Sequence, residues 1–148
     1  MKILRGAVAI LSLLLTAQSL PPDNAAIVVG NPVRVIKELG PDTTESGGGN
    51  RMLYLVRMRA STVIKGDFKG KYFNLIVSRH LPQYVFLNWE YVVLLKKNGN
   101  KYEVVEGNPI NKSFCFSKAT VEEHALKNWV GTPNETPTSE GGECWFWK

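Results

Sequence analysis

The sequence predicts a mostly β domain of about five strands closed into a small barrel, with one helix and a disulfide-tied tail after it. Three observations carry that expectation. Residues 52–64 alternate with period two over an unusually long run. Asn98-Gly99 stands between an apolar run and a second strand pattern, as a hairpin turn does. The two cysteines, Cys115 and Cys144, both lie in the last third of the chain.

The elements follow in order. Ala25 to Ile36 is rich in Val and Ile, and Gly30 and Pro32 interrupt it, which predicts a strand with a bulge or bend. Leu39 to Asn50 holds Gly40-Pro41, hydroxyl residues and Gly47-Gly48-Gly49, and reads as a loop. In the next strand Tyr54, Val56, Met58, Ala60 and Thr62 take one parity, and Arg57, Arg59 and Ser61 the other. That period excludes an amphipathic helix and gives the strand one wet face. Lys65-Gly66-Asp67 turns the chain into a strand at Tyr72 to Ser78, with Phe73, Leu75 and Val77 on one side. Pro82 marks a connection. Tyr91 to Leu95 is continuously apolar and so central. Residues 96–100 form the hairpin turn and Lys101 to Val105 the return strand. Phe114 to Phe116 is a last short strand.

Thr120 to Val130 reads as a helix, with Thr120 as cap and Glu123 completing a capping box. Val121, Ala125, Leu126 and Trp129 share its apolar side. Residues 131–148 form a tail that ends Cys144-Trp145-Phe146-Trp147. Those aromatics either cover one end of the barrel or form a binding surface. An antiparallel sheet of this size must hide its edges, and closure does so.

Residues 1–19 read as a cleaved signal peptide, with an uncleaved membrane anchor as the rival reading that the short apolar run disfavours. Lys2 and Arg5 precede an apolar run, and Ala17-Gln18-Ser19 places small residues before a cut, so that Leu20 starts the mature chain. No later segment nears the roughly 20 apolar residues of a membrane span. A soluble secreted protein (periplasmic, if bacterial) is expected. Its domain spans residues 20–130. In an oxidising compartment Cys115 and Cys144 pair with each other, unless the bridge is intermolecular or both thiols stay free. Asn111-Lys112-Ser113 and Asn134-Glu135-Thr136 match the N-glycan acceptor pattern.

The chain carries a net +5, and residues 51–101 hold ten Lys/Arg against Asp67 and Glu90. Arg57, Arg59, Lys65, Lys69 and Lys71 are the candidate contacts for a glycosaminoglycan-like polyanion or an extracellular protein. The plainer reading makes them solvent faces of strands. Tyr54, Arg57 and Arg59 could also stack and neutralise a single-stranded nucleic acid, a role that export disfavours. Catalytic signals are thin. Ser78-Arg79-His80 superficially suggests a Ser/His pair, but no convergent set accompanies it. His124, beside Glu122 and Glu123, reads as a solvated helix residue. Two histidines without a ligand set make no zinc site, and no cofactor is expected.

The order of these segments resembles a known family. Asn24-Ala25-Ala26-Ile27-Val28-Val29 opens a strand, and a Gly-rich loop leads to the run Met52 to Gly66 ending in Lys65-Gly66. Asn88-Trp89-Glu90-Tyr91 leads into the central strand, and Phe114-Cys115-Phe116 precedes a helix. Over residues 24–126 this is similar to the netrin-like domain of the tissue inhibitors of metalloproteinases. The resemblance implies a five-stranded OB-type barrel with flanking helices, and a place for Cys115 in its plan. Those inhibitors begin with Cys-x-Cys, whose first residue chelates the protease zinc. Here Leu20-Pro21-Pro22-Asp23 stands instead. The expected function is a non-enzymatic extracellular binding module. The alternative is an inhibitor-like protein that lacks the chelating motif.

Overall fold

A computed structural model describes residues 24–44, 50–86, 90–133 and 142–147. The leader, the start at Leu20, the glycine triplet, Asn88-Trp89 and the Asn134 acceptor lie outside the described residues. Five antiparallel strands form one sheet: β1 Ala25–Pro41, β2 Met52–Gly66, β3 Tyr72–Arg79, β4 Tyr91–Asn98 and β5 Lys101–Pro109. Their order across the sheet is β3-β2-β1-β4-β5. A two-stranded hairpin, β6 Ser113–Phe116 and β7 Glu143–Phe146, stands apart from it. Between β3 and β4 lies a short 3-10 turn, Pro82–Phe86. Two short helices, α1 Lys118–Glu123 and α2 Leu126–Val130, follow β6.

The sheet separates two apolar clusters, and strands β1 and β4 serve both. Ala26 and Val28 of β1 join Val93 and Leu95 of β4 with Tyr54, Val56, Met58, Phe73, Leu75 and Val77. Ile27, Val92 and Leu94 face the other way, against Phe114, Phe116, Val121, Leu126, Trp129 and Trp145. Over residues 26–30 of β1 and 91–95 of β4 both faces are dry, which is why those runs are continuously apolar. On β2 the even residues Tyr54, Val56 and Met58 are buried while Arg59 and Ser61 are exposed. The expected alternation and the central place of Tyr91 to Leu95 are both present.

Other expectations change. Strand β1 runs to Pro41 rather than stopping near Ile36, because Gly40 and Pro41 pair with Leu53 and Met52 of β2. Three register shifts, each adding one residue to β1 at Val33, Ile36 and Leu39, bend it along the way. The hairpin turn is Gly99-Asn100, since Asn98 stays in β4 opposite Lys101. Gly99 takes φ 60° and Asn100 does not take positive φ, as in a type II′ turn.

The single helix is two. Ser117, not Thr120, caps α1: its Oγ accepts from Thr120 N–H at 3.3 Å. Ala125 then takes φ 50° and ends the run. That left-handed residue re-aims the chain, so that Leu126 and Trp129 reach the cluster Val121 already occupies. The tail is not merely tied down. It adds β7, whose Cys144 lies directly opposite Cys115 of β6 in the disulfide. Trp145 stacks on Phe114 at 5.6 Å and donates Nε1–H to Gly131 O at 2.9 Å. Trp145 is buried, whereas Phe146 is exposed. Closure of the sheet into a barrel is not made by a ladder, since β3 and β5 remain its two edges. Among the described residues no helix is long and apolar enough to cross a membrane.

A candidate polyanion-binding face

Residues directly opposite in an antiparallel pair share a face. On the face of β1-β2-β3 that carries the odd residues of β2, Arg57 stands between Arg34 of β1 and Asn74 of β3. Two residues along, Arg59 stands between Asn31 of β1 and Tyr72 of β3. One row the other way, Lys37 stands opposite Leu55, which pairs with Ile76. Lys71 precedes β3, and its carbonyl accepts from Ala60 N–H at 3.0 Å.

Tyr72 organises two of these cations. The Arg57 guanidinium carbon lies 4.9 Å from the ring centroid and Lys71 Nζ lies 5.5 Å from it. Each contact draws a cation to the negative face of the ring. Among the described residues, no carboxylate forms an ion pair with Arg34, Lys37, Arg57, Arg59 or Lys71. Like charges directly opposite one another, as Arg34 and Arg57 are, repel. An anion laid over the rows would relieve that repulsion.

The sequence-derived candidates divide. Arg57, Arg59 and Lys71 come together. Lys69 instead pairs with Asp67 at 3.4 Å in the β2–β3 connection. Lys65 stands opposite Ile27, up to about 20 Å beyond Arg59 along an extended strand. Arg34 and Lys37 were missed. On bulged β1 the outward residues are Asn31, Arg34 and Lys37, every third rather than every second. Two basic residues three apart, Arg34 and Lys37, were the available signal. The Asn111 acceptor is exposed in the bend between β5 and β6.

Two proposed roles are corrected. Tyr54 is 2% exposed and packs inside the first cluster, so it offers no base a stacking surface. His124 ends α1 with its side chain only 12% exposed, 3.8 Å from Glu123, and is not solvated. His80 is exposed, with Nδ1 3.3 Å from Asn50 O, and no hydrogen bond joins it to Ser78. Arg79 between them donates to Ser78 O and to Tyr91 Oη, each at 2.9 Å. Among the described residues no three His, Cys, Asp or Glu side chains converge as a metal site.

This face therefore carries a row of cations, two of them held over the Tyr72 ring, flanked by the neutral amides of Asn31 and Asn74. No protein-family model, no curated protein and no solved structure matches the chain.

Proposed function

We propose that this is a secreted, non-enzymatic binding module of netrin-like, OB type, which captures an extracellular polyanion on the outer face of β1-β2-β3. One observation carries the reading: Arg57 and Lys71 lie over the Tyr72 ring, with Arg59 opposite Tyr72 and Arg34 opposite Arg57 in the neighbouring rows, and no carboxylate forms an ion pair with these four among the described residues. Such a field attracts a flexible polyanion and holds it by many weak contacts. A protein partner would want a larger dry patch at the centre of the face than Leu55 and Ile76 provide.

The OB-type reading has two supports. The strand order β3-β2-β1-β4-β5 leaves β3 and β5 as the two strands that a partly open five-stranded barrel brings together. Here those edges approach. A Cβ placed on Gly107 of β5 would lie 2.5 Å from Leu75 of β3, and Tyr102 of β5 donates to Asp67 O, before β3, at 2.7 Å. The disulfide supports an oxidising destination.

Heparin-column elution in rising salt tests the function. The protein is expected to elute well above physiological salt, and Arg57→Ala/Arg59→Ala to shift it downwards. Elution near physiological salt, unchanged by the double substitution, would sink the proposal.

A further inference from the structure

We propose that Tyr72 is the positioning residue of this face. It holds the Arg57 guanidinium ready for a tetrahedral oxyanion ester, sulfate or phosphate, borne on the polymer. This rests on the polyanion reading above.

Arg57 has three neighbours that bear on its placement. Arg34 opposes it on β1 and repels it, Asn74 opposes it on β3, and the Tyr72 ring lies diagonally beside it at 4.9 Å. A free arginine there would swing away from Arg34 into water. The ring supplies the attraction that keeps it over the sheet. A guanidinium drawn to the ring by cation–π attraction spends no N–H group on a carboxylate, and its N–H groups fit the paired oxygens of a sulfate or phosphate. Less side-chain freedom is then lost when the anion arrives. Asn74 and Asn31 stand in the same two rows and offer neutral N–H donors beside the charges.

The same geometry disfavours stacked bases. Tyr72 is 38% exposed, but two cations already lie over its ring, and Tyr54 is buried. Base stacking needs an open ring face.

Titrations of the full-length secreted protein with a heparin oligosaccharide, inorganic polyphosphate and a charge-matched oligothymidylate test this. Each is run at several salt concentrations. Tyr72→Leu is expected to weaken heparin and polyphosphate binding about two- to five-fold, with the salt dependence unchanged. Tyr72→Phe should bind like the parent. Arg57→Ala should instead flatten the salt slope by roughly 0.7–0.9, one ion pair's worth. The slope thus separates a residue that places a charge from one that supplies it. Whichever of heparin and polyphosphate binds more tightly identifies the oxyanion as sulfate or phosphate.

The positioning role is overturned if Tyr72→Leu, folded by circular dichroism, binds like the parent. It is also overturned if Tyr72→Phe falls as far as Tyr72→Leu, or if Tyr72→Leu abolishes only oligothymidylate binding. If the parent protein binds none of the three, the polyanion reading itself fails.

Discussion

Glu106 of β5 shows how one side chain joins two layers. Its Oε1 accepts from Ser117 N–H at 2.8 Å and from Asn108 Nδ2 at 2.6 Å, and its Oε2 accepts from Ser117 Oγ at 2.8 Å. Ser117 is the cap of α1, so the carboxylate fastens the helix start to the sheet. Burial works to raise its pKa, but hydrogen bonds from Thr120, the Ser117 N–H, Asn108 and the Ser117 hydroxyl outweigh it, and the net shift is downward. A carboxyl with a depressed folded-state pKa adds stability above its ordinary value, and loses it as pH falls through the lowered one. Glu106→Gln is expected to cost about 1–3 kcal/mol at neutral pH. Urea unfolding at pH 7 and pH 3 checks it, and the gap between variant and parent should narrow in acid. A gap of equal size at both pH values would show that shape, not charge, matters here. The sequence announced neither Glu106 nor Ser117 in this role, because their partnership spans 11 residues and a change of layer.

At the scale of elements, β1 is two strands in one. Ala26 to Gly30 pairs with β4 on one side and β2 on the other and is buried. Asn31 to Pro41 pairs with β2 alone and carries three bulges. Unpaired bulged residues twist an open edge and discourage further strand addition. Amide hydrogen exchange should reflect the division. Val28 and Val29 are expected near the global limit, and Val33, Ile36 and Leu39 at least about a hundredfold faster. Uniform protection along β1 would contradict it. A different constraint sets the β2 end. Gly66 has φ 81°, and a Cβ there would run into the Ala25 carbonyl. The turn was legible as Lys65-Gly66-Asp67, but not the backbone packed against it.

At the scale of the molecule, the two apolar clusters share β1 and β4 and so cannot separate. Ile27 and Val28 are neighbours in sequence yet belong to opposite clusters. Trp129 and Trp145 report on one cluster, and far-ultraviolet circular dichroism on the whole sheet. Their urea transitions are expected to coincide, as for a single cooperative unit. The disulfide links residues 29 apart, and closing a loop of that length contributes about 3–4 kcal/mol by restricting the unfolded chain. Cys115→Ser/Cys144→Ser should lower the unfolding free energy by that much, and the urea midpoint with it, while the two signals still coincide. An early tryptophan transition would mean that the hairpin and helices unfold on their own.

The sequence by itself determined the β class, the alternation of β2, the buried run of β4, the hairpin at Gly99 and the cysteine pair. Each depends on local periodicity, on a turn residue or on the scarcity of partners. Tertiary structure alone decided the split helix, the tail strand, the cap at Ser117 and the membership of the basic face. The physical reason is clearest at Arg34 and Lys37. Each bulge shifts which residues of β1 point outward, and the bulges follow from how β1 must bend along β2. Alternation read from β1 in isolation therefore loses count after Pro32. Only the pairing restores it, and with it the row that sets Arg34 beside Arg57.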